Sequence, residues 1–322
     1  MNSSTSSFKR IRSPKAWVGL VALIIGFLFV LILSVSYLVD PFSLRKDHQV
    51  SLAREVINRP ENVALWDFFE TQKIETSYLE EAQVIILGDS RARLLTDHFQ
   101  NHRKGDFQGK KVYNLCVGGC SLSECFSIYE WEKVRGEGFP AMETVIMVAS
   151  LMRFCEPERP NRVEQSGLLV DSPTRYYLND LVVRRAFTSL IRFKTKNETA
   201  PLGGDDRAVM RTWMESYMGF NADTYRSRLE SLAAFARELQ KREIRLILYS
   251  PPGAGGRREA IESAGLVDVK KDFVASLAGM GEFYDLADET EISGVKFKYL
   301  PGDPIHHDQG DRVLEFLLSS SR

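Results

Sequence analysis

Short apolar runs that alternate with helical patterns are the feature that most constrains the fold of this chain. The runs occupy residues 84–87, 111–117, 144–150, 244–250 and 283–286. Runs of this length, without polar alternation, are typical of strands buried on both faces of a parallel sheet. Between them, Ser121–Arg135 and Ala222–Arg242 repeat apolar residues at three- and four-residue steps, which indicates helices.

This alternation predicts an α/β fold, with a flavodoxin-like, three-layer, doubly wound parallel sheet. Residues 155–221 interrupt the rhythm with Pro, Gly, Arg and aromatic residues. We expect them to form an insertion after the third strand. It would serve either as a lid or partner surface, or as a purely structural flap.

An uncharged apolar segment, Ala16–Val39, precedes this part of the chain. At about 1.5 Å per residue, a helix of this length covers a hydrocarbon core of about 30 Å. Asp40 follows the segment, and basic residues precede it at Lys9, Arg10, Arg12 and Lys15. The positive-inside rule therefore predicts a single-pass anchor in the inner (cytoplasmic) membrane, with a cytoplasmic N-terminus and a periplasmic or otherwise extracytoplasmic main domain. A cleaved signal peptide is the alternative, although its apolar region is normally only about 7–15 residues long.

The predicted organisation is a cytoplasmic tail at 1–15, a transmembrane helix at 16–39, a connecting segment at 40–80 and the main domain at 81–322. The formal net charge of −1 does not favour nucleic acid as a partner. An exported domain with four cysteines permits a disulfide, but buried thiols explain them equally well, and the spacing assigns no pairing. These cysteines are Cys116, Cys120, Cys125 and Cys155.

The first apolar run ends in Gly88-Asp89-Ser90. Gly88 permits a tight turn, Asp89 can form a hydrogen bond within it, and Ser90 would present its hydroxyl where a helix begins. The Ser90 N–H, at a helix N-terminus, would favour an oxyanion. The alternative is that Ser90 only caps the helix. Arg91 and Arg93 follow, either as ligands for anionic substrate groups or as solvated helix positions.

A serine nucleophile needs a base, and the chain has five histidines. His48 is close to the apolar segment, and we expect His98 and His102 on the helix after Ser90, about 12–18 Å from the turn. His306 is the remaining candidate, because Asp303-x-x-His306 lets one loop hold a carboxylate against the imidazole. The alternatives are a solvated surface turn, or a metal site built from Asp303, His306, His307, Asp308 and Asp311.

Gly-Asp-Ser after the first strand and Asp-x-x-His before the last helix resemble the SGNH/GDSL hydrolase superfamily over roughly residues 82–320. The resemblance implies that Ser90 is the nucleophile, His306 the base and Asp303 the residue that orients it. It also implies that Gly118 or Gly119 donates a backbone N–H to the oxyanion. The family's third block, Gly-x-Asn-Asp, is replaced here by Ala149-Ser150-Leu151-Met152. Either Ser150 replaces the missing Asn donor, or the oxyanion hole has only two backbone donors.

One N-terminal anchor before such a domain is similar to the bacterial DltD- and AlgJ/AlgX-like proteins. This resemblance implies a serine esterase or O-acyltransferase that acts on acyl esters of a cell-envelope polysaccharide or polymer. Acetyl is the first candidate for the acyl group. The resemblance also implies a multi-spanning membrane-bound O-acyltransferase as partner, and neither cofactor nor metal. The alternative is a catalytically degenerate domain that binds polysaccharide or scaffolds an envelope acylation or export complex.

Overall fold

The computed structural model describes residues 14–39, 74–157, 161, 183–184, 214–252, 257–287, 289, 291–292, 294–296 and 309–319. The chain divides into two compact units. One comprises Met1–Ile57 and Leu168–Asn197, and the other comprises Asn58–Gly167 and Glu198–Arg322. Most of the predicted connecting segment and most of the predicted insertion lie outside the described residues.

In the first unit, the apolar segment forms helix α1 (Pro14–Val39). Proline suits the first helical position because its missing N–H would have no partner there. Within α1, Trp17–Tyr37 is 21 residues long with a mean hydropathy of 3.1. By length and composition it can span a membrane, which is consistent with membrane association.

The second unit contains a six-stranded sheet in the order β2-β3-β1-β4-β5-β6. All neighbouring strands are parallel except β2, which pairs antiparallel with β3 at one edge. The predicted α/β class is therefore confirmed, with a sheet that is mostly parallel. The strands are β1 (Val84–Leu87), β2 (Lys104–Phe107), β3 (Lys110–Asn114), β4 (Thr144–Val148), β5 (Arg245–Ser250) and β6 (Glu282–Asp285).

The strand order determines where a crevice can open. From β1 the chain moves outward to β3, and it then crosses to the other side of β1 to build β4, β5 and β6. The loops after β1 and β4 therefore diverge where the direction of winding reverses. In open α/β sheets, ligands bind beyond the carboxyl ends of the strands at this switch point.

Helices cover both faces of the sheet. On one face Val84 and Ile86 pack in a cluster with Val313 and Leu317. On the other, the Tyr113 hydroxyl lies 3.5 Å from Glu132 of α4. The described helices of this unit are α2 (Thr76–Glu81), α3 (Ser90–Arg93), α4 (Leu122–Arg135), α5 (Leu151–Cys155), α6 (Ala222–Lys241), α7 (Arg257–Ser263), α8 (Val267–Ala278) and α9 (Gly310–Ser319).

The two clearest predicted helices are confirmed almost to the residue. Ser121 caps α4 through a capping box in which its hydroxyl accepts from Glu124 N–H and the Glu124 carboxylate accepts from Ser121 N–H. Asn221 caps α6 by accepting from the first turn of that helix. These side chains satisfy N–H groups that would otherwise lack partners, and this fixes where each helix begins.

Three short strands were not predicted. β2 (Lys104–Phe107) has the polar sequence KGDF and joins β3 through Gln108 and Gly109, whose φ angles are +50° and +78°. Two positive φ values in a two-residue loop are typical of a tight β-hairpin. β7 (Glu291–Ile292) and β8 (Val295–Lys296) form a second antiparallel pair.

Candidate functional site at the carboxyl edge of the sheet

Gly88 makes the turn after β1 possible. Its φ is +150°, and a Cβ there would lie only 2.8 Å from Cγ2 of Val148 and 3.0 Å from Cβ of Ala92. Both the backbone conformation and the close approach of β4 therefore require glycine. The chain can turn this sharply only because the residue before Asp89 has no side chain.

Asp89, and not Ser90, caps the helix that follows. Its Oδ1 accepts a hydrogen bond of 2.8 Å from Arg91 N–H, and its carbonyl accepts from Ala92 N–H at 2.9 Å. The predicted hydrogen bond of Asp89 within the turn is confirmed, and the alternative of Ser90 as a helix cap is wrong. Ser90 is the exposed first residue of α3. Within the described residues, nothing pairs with its hydroxyl or with its N–H.

Two arginines hold the Asp89 carboxylate, and we call Asp89, Arg91 and Arg153 the Asp89 clamp. Arg91 Nη2 lies 2.7 Å and Arg153 Nε 3.0 Å from Asp89 Oδ2. Only 3% of the Asp89 side chain is exposed, against 10% for Arg91 and 11% for Arg153. Burial alone would raise the pKa of Asp89, but the two guanidinium groups hold it well below its usual range.

Arg91 is therefore not a solvated position, because its side chain is buried against Asp89. Arg93, in contrast, is one-third exposed and lies 3.6 Å from Asp97. With two arginines and one aspartate, the clamp carries a net positive charge. Glu156 balances this charge, because its carboxylate lies 3.4 Å from the Arg153 guanidinium. The pKa of Arg153 is raised by Asp89 and Glu156, even though burial acts in the opposite direction.

Gly118 and Gly119 lie next to this turn. Beyond β3, Val117 N–H donates to the Gly88 carbonyl at 3.0 Å, and Cys120 N–H closes a turn onto the Val117 carbonyl at 3.0 Å. Gly119 has a φ of +65° and is exposed, and Gly118 is buried. The predicted oxyanion donors are thus brought to the same edge of the sheet as Ser90.

Ser150 follows β4 and joins the same cluster. Its hydroxyl accepts a hydrogen bond of 3.3 Å from Arg91 Nη2, and it is buried. A hydroxyl that accepts one bond can still donate its own proton. A small cavity of about 30 Å³, lined partly by Arg91, Ser150 and Met152, lies beside this group.

Asp303 and His306 lie outside the described residues, so the predicted acid–base pair has no described geometry. The same is true of His307 and Asp308 in the alternative metal site. The described histidines are placed differently from the prediction, because α3 ends at Arg93 and a short 3₁₀ segment ends at Thr96. His98 and His102 follow this segment and do not lie on a helix.

Arg153 and Tyr249 were missed by the analysis of the sequence. Arg153 lies in the last turn of the five-residue helix α5, where a basic side chain is ordinary, so its position in the sequence does not signal the contact with Asp89. Tyr249, on β5, is 1% exposed, and its hydroxyl has no hydrogen-bond partner among the described residues. Burial raises its pKa far above the usual range, so it stays neutral.

No protein-family model matches this chain, and no curated protein matches it either. The geometry of the site is therefore what bears on function. An exposed serine hydroxyl follows the residue held by the Asp89 clamp, and a glycine turn and a second hydroxyl lie at the same edge of the mostly parallel sheet, at its switch point. With a base in reach, this arrangement suits attack of an alkoxide on an ester carbonyl.

Proposed function

We propose that the chain is a membrane-anchored, extracytoplasmic serine esterase or O-acyltransferase of the SGNH/GDSL type, with a flavodoxin-like sheet. The observation that carries this proposal is the exposed Ser90 hydroxyl on a turn fixed by Gly88 and by the Asp89 clamp. The strand order supports it as well, because taken in chain order the five parallel strands lie as 2-1-3-4-5, the flavodoxin-like order.

In this proposal Ser90 Oγ attacks the acyl carbon of an ester, and His306 takes the hydroxyl proton. The Ser90 N–H and a backbone N–H of Gly118 or Gly119 stabilise the oxyanion. His306 then returns the proton to the leaving alcohol, and Asp303 keeps the imidazole in the required orientation. Water or a sugar hydroxyl finally releases the acyl group from Ser90.

The resemblance to envelope acylation proteins suggests acetyl as the acyl group, and one feature of the chain supports a substrate at the cell envelope. Helix α1 is long and apolar enough to anchor the domain at a membrane, and its basic N-terminal flank favours an extracytoplasmic domain. A multi-spanning acyl donor in the same membrane is the partner that this topology suits.

Ser90→Ala tests the proposal in the full-length protein in detergent. We expect wild type to react with a fluorophosphonate probe. We also expect it to hydrolyse an aryl acetate faster than the aryl octanoate with the same leaving group. Ser90→Ala and His306→Ala should lose both reactions by several orders of magnitude, because members of a triad act as a unit. Ser123→Ala is the matched control, since Ser123 is also exposed and lies on the neighbouring helix α4.

Acyl transfer and hydrolysis can be distinguished by supplying a donor that carries a labelled acetyl group together with an envelope polysaccharide. Label on the polymer indicates an acyltransferase, and label only in free acetate indicates an esterase. Probe labelling that persists in Ser90→Ala, in a protein with unchanged thermal stability, would contradict Ser90 as the nucleophile.

A second candidate function is non-catalytic binding of polysaccharide. It is favoured by the absence of Asn from the segment after β4, and by the engagement of the Ser150 hydroxyl with Arg91. Losing one oxyanion donor costs about 10²–10³ in rate. A folded wild-type protein that binds an envelope polysaccharide but is inert to both reagents would favour this second function.

A further inference from the structure

Cys120 and Cys125 hold their sulfur atoms only 2.7 Å apart, and both residues are at most 5% exposed. This separation exceeds a disulfide bond of about 2.05 Å by only about 0.7 Å. All four cysteines are free thiols in this structure. The other two lie in different surroundings, with Cys116 against the guanidinium of Arg103 and Cys155 at the end of α5.

The start of α4 is what brings these two sulfurs together. Ser121 is the N-cap, so Cys120 is the residue before the cap and Cys125 is the fourth helical residue. Side chains at these two positions normally pack against each other as a hydrophobic staple. The capping box between Ser121 and Glu124 fixes the angle at which the chain enters the helix, and it thereby fixes the sulfur pair.

We propose that Cys120 and Cys125 form an intramolecular disulfide that fastens the Gly118–Gly119 turn to the first turn of α4. The two thiols would exchange with an external disulfide, such as a protein dithiol oxidase or oxidised glutathione. One sulfur attacks the external disulfide and releases one thiol. The second sulfur then attacks the mixed disulfide and releases the other. Two protein thiols and one external disulfide thus give one protein disulfide and two external thiols.

The environment of the pair indicates when this bond forms. The hydrogen bond to Cys125 and burial raise the pKa of the Cys120 thiol well above its usual range. A buried, protonated thiol is a poor nucleophile, so exchange is expected during folding, before α4 packs. Once the helix has packed, the same burial protects the bond from reductants. An extracytoplasmic domain would fold where disulfides persist.

The consequence concerns the turn that carries the proposed oxyanion donors. Cys120 N–H closes that turn onto the Val117 carbonyl, and the Cys120 thiol also lies 3.5 Å from the carbonyl of Gly88. A covalent bond at Cys120 would therefore hold the Val117–Cys120 turn between β1 and α4. The disulfide does not depend on catalysis at Ser90, and the two proposals can fail separately.

The test is a thiol count on the full-length protein, isolated from membranes after acid quenching and alkylated under denaturing conditions. We expect two of the four thiols to be protected until a reductant is added. Cys116→Ser and Cys155→Ser should each retain the protected pair and leave one free thiol. Cys120→Ser and Cys125→Ser should each leave three free thiols. On reduction, the midpoint temperature of thermal unfolding should fall by a few degrees in wild type. The midpoints of Cys120→Ser and Cys125→Ser should not change on reduction.

A protected pair that includes Cys116 or Cys155 would overturn the proposal. Four free thiols in the protein isolated after acid quenching would overturn it as well, because the geometry at the start of α4 would then not have led to a bond.

Discussion

The two ends of the central sheet both carry ion pairs, but they place them in opposite environments. At the carboxyl end, the Asp89 clamp is almost completely buried. At the amino end, Lys110 pairs with Glu143 at 2.7 Å and Lys111 pairs with Glu81, and all four side chains are 38–58% exposed. The same charges can therefore have very different effects, because burial removes the water that would otherwise solvate a broken pair.

This difference suggests a division of roles. Exposed pairs contribute little to stability. A buried pair costs desolvation energy, and a chain keeps it where a precise geometry is required. In this protein the clamp fixes the residue directly before Ser90. We therefore expect substitutions at the carboxyl end to affect stability and reactivity together, and substitutions at the amino end to affect neither strongly.

The largest effect is expected for Arg153→Met. Removing one partner of a buried ion pair typically costs about 3–5 kcal/mol, and we expect the lower end of this range because Arg91 still holds the Asp89 carboxylate. The free energy of unfolding, measured by urea denaturation, should fall by this amount. Arg153→Lys keeps the charge but loses the planar contact to Asp89, so it should lose less. A loss below about 1 kcal/mol for Arg153→Met would show that water solvates the clamp.

Gly88→Ala should come next, with a loss of about 2–4 kcal/mol in the free energy of unfolding. The substitution introduces backbone strain, because φ is +150° at this position, and it also creates a steric clash between the new Cβ and Val148. Gly109→Ala is the matched control, because its φ is +78° but nothing lies within 4 Å of a Cβ there. The control should cost only about 1–2 kcal/mol. Equal losses at the two sites would mean that the contact with β4 relaxes at no cost.

The sequence predicted the parallel strands because their apolar runs report burial on both faces, which is a local property of each segment. The edge strand β2 was missed for the same reason, since KGDF carries no apolar pattern and its pairing depends on β3. The Ser90 turn was predicted from Gly88, Asp89 and Ser90 themselves. The contact of Arg153 with Asp89 joins residues 64 positions apart, and no local pattern specifies a contact at that distance.

Tyr78 gives a smaller effect at the amino end, which appears only at alkaline pH. Its half-buried hydroxyl lies 3.0 Å from the carbonyls of both Gly105 and Val112 and shares its one proton between them. Burial raises its pKa to about 12. The folded-state pKa is raised above the unfolded value of about 10. The contribution of Tyr78 to the free energy of unfolding is therefore complete below pH 10 and is lost as the pH rises toward 12.

The difference between wild type and Tyr78→Phe isolates this contribution. With allowance for screening at a half-exposed group, we expect wild type to lose about 1 kcal/mol more than the variant between pH 10 and 12. Urea denaturation at a series of pH values measures the difference. Parallel curves for the two proteins would show that Tyr78 ionises as freely when folded as when unfolded.

The smallest effect is expected for Lys110→Met at the amino end. Its partner Glu143 is half exposed and also accepts from Gln83 at 3.0 Å, so the carboxylate keeps a hydrogen bond when Lys110 is lost. The free energy of unfolding should change by less than about 0.5 kcal/mol, and the change should vanish in 1 M salt because mobile ions screen exposed charges. The loss in Arg153→Met should survive the same salt. If Lys110→Met instead cost as much as Arg153→Met, burial would not explain the difference between the two ends of the sheet, and the clamp would lose its claim to a special role in positioning Ser90.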